Sequence, residues 1–198
     1  MKIIAITGSI GCGKTYIADL IKSLGYVVFD ADKEVKNFYK NKKFLEKIKN
    51  FFSDCFEKEL LNKRKLRNLV FNNDFELKKL ESIIHPLLKQ KLKEKIKKSA
   101  KKSDFIFIDA ALIFEMNWDK YCDYVILADV DEKIQKQRVM NRDKILAEDF
   151  EKIIAKQIDN NIKKEKADLI INTEISKGKI IVLLINFINE IKNARNLL

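Results

Sequence analysis

The sequence predicts an α/β protein built on a doubly wound, five-stranded parallel sheet. Three observations carry that expectation. Five short apolar runs read as buried strands, helical patterns separate them, and a glycine cluster sits where the first strand gives way to the first helix. The runs are Lys2-Ile3-Ile4-Ala5-Ile6, "YVVF" (26–29), "FIFID" (105–109), "YVILA" (124–128) and "DLIIN" (168–172). Nearly continuous apolar runs of this length are what strands covered on both faces show. Alternation with helices then implies right-handed crossovers and a parallel sheet.

The junction after the first strand is the most informative stretch. "TGSIGCGKT" (7–15) concentrates three of the chain's five glycines, and Ile17, Leu20, Ile21 and Leu24 follow at helical spacing before Gly25 stops the helix. Glycine is costly in an ordered backbone, so a cluster marks positive φ angles or close approach to something bulky. The spacing Gly8-(four residues)-Gly13-Lys14-Thr15 fits a phosphate-binding loop whose backbone N–H groups cradle phosphate oxygens. The helix N-terminus adds partial positive charge at the same place. In that reading Lys14 reaches the β and γ phosphates of ATP and the Thr15 hydroxyl ligates Mg²⁺. Gly8, Gly11, Cys12, Gly13, Lys14, Thr15 and Tyr16 form the nucleotide-contacting set. An ordinary glycine-rich turn is the competing reading; a strand before and a helix after favour the loop.

The second strand leads into Asp30-Ala31-Asp32, and the third begins only at residue 105. The long segment between is helical in pattern: Phe44, Leu45, Ile48, Phe51 and Phe52, then Leu66, Leu69 and Val70, then Leu77, Leu80, Ile83, Ile84, Leu87 and Leu88. No strand is expected within it. A helical acceptor-binding insertion over about 36–102, within one domain spanning 1–198, is the natural reading. The only proline, Pro86, directly follows the only histidine, His85. After the fourth strand a second insertion, about 135–160, opens with "QKQRVMNRD" and reads as a lid that closes over ATP. A core, an acceptor-binding insertion and an arginine-bearing lid together describe a small P-loop kinase.

Composition bounds the rest. At 198 residues with 46% hydrophobic content the chain is the size of one α/β domain with ample core. The longest apolar run, residues 180–185, is too short to span a bilayer. The first strand begins at once, so no signal peptide is expected. Cys12, Cys55 and Cys122 show no metal or disulfide spacing, which fits a reducing cytoplasm. The formal net charge of +11 is compatible with nucleic acid. Its lysines, however, are mixed with acidic residues, and the densest run, "KQKLKEKIKKSAKK" (89–102), carries Leu92 and Ile96 at helical spacing, as a solvated helix face does. A positive field also attracts anionic nucleotides.

With these pieces in place, the sequence resembles the dephospho-coenzyme A kinase family almost end to end. The residues that carry the resemblance are "TGSIGCGKT", "VFDADKEV" (28–35), "LNKRKLRNLVF" (61–71), "LESIIHPLL" (80–88), "LIFE" (112–115), "QKQRVMNRD" (135–143), Gln157 and "ADLIINT" (167–173). The Asp-Ala-Asp and Leu-Glu-(three residues)-His-Pro pieces are distinctive, since a generic nucleotide kinase has no need of both. The resemblance implies transfer of the γ-phosphate of ATP to the ribose 3′-hydroxyl of dephospho-CoA. It implies Asp32, Lys14, Arg138 and Arg142 as catalytic residues. Asp30, Asp32, Lys36, Lys63, Arg64, His85 and Asp109 are implied on the substrate, and Thr15 and Asp109 on Mg²⁺. Expected partners are the two small molecules, with no specific nucleic acid and no membrane, in a cytoplasmic protein that is a monomer.

Several of these residues have a second reading. Asp32 can orient a ribose hydroxyl and accept its proton, while either aspartate can cap the helix that starts near Lys33. Asp109 ends its strand where a Walker B carboxylate stands, or caps the next helix. Arg138 and Arg142 lie four apart on one helix face and can reach one phosphate, or they are two solvated side chains. His85 contacts the acceptor, or fills a proline-bent helix. The chain departs from the family where arginine is usual at Lys36 and Lys63, proline at Ala111, and arginine at Ile153. Lysine keeps the charge but loses the bidentate fork. The rival functions are a kinase of a nucleoside or sugar, a GTPase and a nucleic-acid-binding ATPase. No Asn-Lys-x-Asp guanine motif occurs, and the basic runs lack the interleaved aromatics that stack bases.

Overall fold

The computed structural model describes residues 1–100 and 103–195. In chain order it contains β1 (Lys2–Thr7), α1 (Lys14–Ser23), β2 (Val27–Asp30), α2 (Ala31–Phe38), α3 (Lys42–Phe51), β3 (Phe56–Glu57), β4 (Leu60–Leu61), α4 (Lys63–Asn72) and α5 (Asp74–Ser99). It continues with β5 (Phe105–Asp109), β6 (Tyr124–Asp129), α6 (Glu132–Asp143), α7 (Ala147–Ile154), α8 (Asn160–Glu165), β7 (Leu169–Asn172) and α9 (Lys177–Arg195). The five apolar runs form one parallel sheet in the order β2–β5–β1–β6–β7. The chain leaves central β1 for the β2 edge, returns to β5, then crosses to β6 and β7. The strand order thus reverses beside β1, where doubly wound sheets bind their ligands.

Contacts divide the chain into two compact units, residues 1–29 with 99–198, and residues 30–98. In the first, Ile4, Ile6, Phe107 and Ile126 are buried in one cluster with Ile17 and Ile21 of α1 and Ile180, Leu184 and Ile188 of α9. Each fully buried aliphatic or aromatic side chain contributes about 1.5–3 kcal/mol relative to exposure. Continuous burial on β5 and nearly so on β1 and β6 explains why those strands carry no alternation.

The second unit is mainly helical, with Phe44, Ile48, Phe52, Leu66, Leu80, Ile83 and Leu88 buried. Here one expectation fails, because the segment holds a strand pair: β3 and β4 form a short antiparallel hairpin. Its two-residue loop, Lys58-Glu59, has φ of 45° and 69°, the positive pair that a tight hairpin requires. Neither residue is a turn former. Asn62 Nδ2 donates to Glu57 Oε1 at 2.9 Å and the Asn62 amide donates to the Cys55 carbonyl at 2.8 Å, which holds the loop by contacts outside it. Helix α5 runs through Pro86 without a break. Lys101 and Lys102 of the basic run, and the end of the expected insertion, lie outside the described residues.

Candidate active site

The loop after β1 owes its shape to its glycines. Gly8, Gly11 and Gly13 all have positive φ. A Cβ on Gly11 would lie 2.5 Å from Val139 Cγ2 and 2.9 Å from the Gln135 carbonyl oxygen. Gly13, at φ 93°, stands at the N-cap of α1, which has no side-chain cap and no acidic residue in its first turn. The partial positive charge of that helix end is therefore uncompensated by carboxylates of its own first turn, as an anion site needs.

Side chains from later segments fix the loop's backbone. The Ile10 N–H donates to Gln157 Oε1 at 3.1 Å, and the Ile10 carbonyl accepts from Gln135 Nε2 at 2.7 Å. Thr173, just after β7, donates through Oγ1 to the Cys12 carbonyl at 2.7 Å. Lys163 Nζ donates to Ser9 Oγ at 3.1 Å. Side chains thus satisfy both backbone polar groups of Ile10.

At the bottom of the loop the Lys14 ammonium is paired with the Asp109 carboxylate, side chains that are only 10% and 2% exposed. Asp109 closes β5, so the strand register delivers a carboxylate beside β1 and the loop lysine. Thr7 Oγ1 donates to the Ala111 carbonyl at 3.2 Å, a contact that proline in place of alanine would also permit. Thr15 and Tyr16 are exposed. Among the described residues no group of three or more His, Cys, Asp or Glu could hold a metal. Thr15 and Asp109 offer the hard oxygen ligands Mg²⁺ prefers, and Mg²⁺ ordinarily completes its shell with phosphates and water instead of an all-protein cage. The residues fit that ion in donor chemistry.

The two arginines of α6 behave differently from one another. Arg138 donates to Thr173 Oγ1 at 3.0 Å, so it joins the group around the loop. Arg142 is 61% exposed in its side chain and forms a two-point pair with Asp143, its own neighbour. That pairing raises the guanidinium pKa further, against a smaller effect of burial.

In the second unit, Asp30 is the helix cap: its Oδ1 accepts from the Lys33 N–H at 2.8 Å, and α2 begins at Ala31, two residues earlier than expected. Asp32 lies in the first turn of α2 and is exposed. Lys36 and Arg64 are exposed, while Lys63 sits over the Tyr39 ring at 5.7 Å. Burial lowers the His85 pKa and Glu81 opposes the shift, so the ring is held towards its neutral form.

Four residues that the sequence assigned no role therefore shape the loop: Gln135, Gln157, Lys163 and Thr173. Gln135, Gln157 and Thr173 fall within or at the motifs quoted above. Lys163 has no signal in the sequence, being one lysine in a row of charged residues.

The comparisons with known proteins agree with one another. The family model described as dephospho-CoA kinase matches residues 2–177. A dephospho-CoA kinase from Bartonella quintana (strain Toulouse) is 39% identical over 174 residues, covering 87% of this chain and 89% of that one. A dephospho-CoA kinase structure from Campylobacter jejuni is similar with a TM-score of 0.68 at 30% identity, over 98% of this chain and 100% of the other. A crystal structure from Thermus thermophilus reaches a TM-score of 0.86 at 26% identity, over 96% of each chain.

Proposed function

The chain belongs to the dephospho-CoA kinase family, and from that premise we propose how its residues divide the work. The activity is ATP-dependent phosphorylation of dephospho-CoA in coenzyme A biosynthesis. Phosphoryl transfer needs positioning and charge neutralisation more than covalent chemistry. Residues 8–15 bind the ATP phosphates through backbone N–H groups and the α1 N-terminus. Lys14 neutralises charge on the β and γ phosphates, and Arg138 does the same from the lid. Arg142 joins it by giving up its pairing with Asp143, an exposed pair of the kind that contributes little. Mg²⁺, held by Thr15 and Asp109, would neutralise phosphate charge.

Residues 30–98 carry the acceptor side. Asp32 orients the ribose 3′-hydroxyl and accepts its proton, with Lys36, Lys63, Arg64 and His85 binding the rest of dephospho-CoA. The observation that supports Asp32 most is the division of labour between the two aspartates. Asp30 fills the N-cap position of α2, and Asp32 stands beyond it in the helix's first turn. Among the described residues no helix is long and apolar enough to cross a membrane.

Asp32→Asn tests the assignment. Asparagine keeps the shape but loses the proton-accepting charge. Turnover with dephospho-CoA should fall on the order of 10²–10⁴-fold, with ATP binding by calorimetry on the same preparation unchanged. Full turnover would remove Asp32 from the chemistry and leave it to Lys14, the arginines and the metal.

A further inference from the structure

Six residues close a polar circuit around the phosphate loop. Lys163, on α8, is wholly buried at 0% exposure. Its Nζ donates to Ser9 Oγ at 3.1 Å and lies 3.5 Å from Glu115 Oε1. Glu115 Oε1 accepts the Ile158 N–H at 2.9 Å. The residue before Ile158, Gln157, accepts the Ile10 N–H at 3.1 Å, and Ile10 follows Ser9. The circuit thus runs from Ser9 to Ile10, Gln157, Ile158, Glu115, Lys163 and back to Ser9.

Stability does not account for it. A lysine is almost never fully buried, and a buried ion pair can often be replaced by apolar side chains without loss. This pair is also imperfect: at 3.5 Å it is long for a charge-assisted hydrogen bond, and Glu115 Oε2 has no hydrogen-bond partner among the described residues. What the pair does achieve is geometric. It clamps the side chain of the loop's second residue and the segment at 157–158, which joins α7 to α8, to one charge. The first belongs to the loop read as the phosphate site, and the second to the segment read as the lid.

We infer that Lys163 is a positioning residue for ATP: through Ser9 and Glu115 it holds the phosphate loop in its binding geometry and ties it to the segment that follows α7. The inference rests on reading residues 8–15 as the ATP loop, and deepens it with a contact that lies outside the loop motif. Ser9→Ala opens the circuit while leaving both charges paired. ATP affinity by calorimetry, and the KM for ATP, should worsen on the order of tenfold, the scale of one hydrogen bond to a charged group. The KM for dephospho-CoA should not change, and the Tm should fall by less than in Lys163→Met, because the buried ammonium keeps Glu115.

Lys163→Met strands a buried carboxylate and should lower both Tm and ATP affinity. Adding Glu115→Gln removes the stranded charge, so Tm should recover while ATP affinity stays weak. Adding Ser9→Ala to that double variant should weaken ATP no further, because the same bond is already gone. A purely structural role predicts that the double variant recovers both properties, and that outcome overturns the inference. So does a further tenfold loss on adding Ser9→Ala, which would put the Ser9 hydroxyl on the phosphate itself. Lys14→Ala run alongside separates the premise: unchanged ATP affinity there overturns the loop assignment. A loss in Lys14→Ala with none in Ser9→Ala overturns the role of Lys163 alone.

Discussion

Lys14 and Lys163 carry the same side chain into the same neighbourhood, yet only one of them is readable from sequence. Lys14 is announced by Gly13 before it and Thr15 after it, because the loop's geometry demands that order. Lys163 is one of three lysines in "KKEK" (163–166), and nothing local separates a buried ammonium from a solvated one. Its burial depends on Ser9 and Glu115, distant in sequence. Cys12 makes a similar point with an opposite outcome. Inside the loop it is buried, and burial raises its thiol to about 11, against the pull of the Lys14 and Lys163 charges. Burial likewise raises Cys122 to about 12. Cys55 is raised as well, first by burial. These thiols are therefore protonated near neutral pH and poor nucleophiles. The folded protein should react slowly with Ellman's reagent at pH 8, and guanidinium should release all three cysteines; rapid reaction of Cys12 in the native state would contradict its placement. Because the folded values lie above the unfolded one, the stabilisation is complete below the ordinary thiol pKa near 9.0. It is lost as pH rises towards the folded values.

At the scale of elements, the glycines divide sharply by what surrounds them. Gly11→Ala forces a Cβ into Val139 and the Gln135 carbonyl at a φ of 81°, a conformation that alanine disfavours by about 1–2 kcal/mol before any clash. ATP affinity should fall at least tenfold. Gly178→Ala, in α9 with nothing within 4 Å of the added carbon, should instead stabilise by about 0.5–1 kcal/mol. Thermal melts and ATP calorimetry on the two variants check the contrast, and equal behaviour would refute the packing described for the loop. The same logic explains what was legible. β1, β5 and β6 are buried between helices, so their apolar runs name them directly, with β5 at Phe105–Asp109 as its run marks it. The β3–β4 hairpin was not legible, because Lys58 and Glu59 are poor turn formers and its support comes from Asn62 and Cys55. The start of α2 was displaced by two residues because two aspartates competed for one cap, and only the contact from Lys33 to Asp30 decides between them.

Across the whole molecule, the net charge of +11 proved the least informative feature. Its lysines serve several unlike ends: Lys14 at a carboxylate, Lys163 in a buried circuit, Lys63 over an aromatic ring, and Lys22 and Lys49 in exposed pairs. Surface pairs of the last kind contribute about 0–1 kcal/mol each, so the charge is better understood as a field that favours anionic substrates. The sheet order, the loop at the reversal beside β1 and the carboxylate at the end of β5 follow from strand burial and one glycine pattern, and family membership adds the acceptor. The most direct measurement is ADP release by the purified chain with ATP and Mg²⁺, offered dephospho-CoA, a deoxynucleoside or a sugar in turn, with the product's phosphate located by mass spectrometry. Release should depend on dephospho-CoA, with a product phosphorylated on the ribose 3′-hydroxyl. Turnover that prefers another acceptor, or a phosphate at another position, would contradict it.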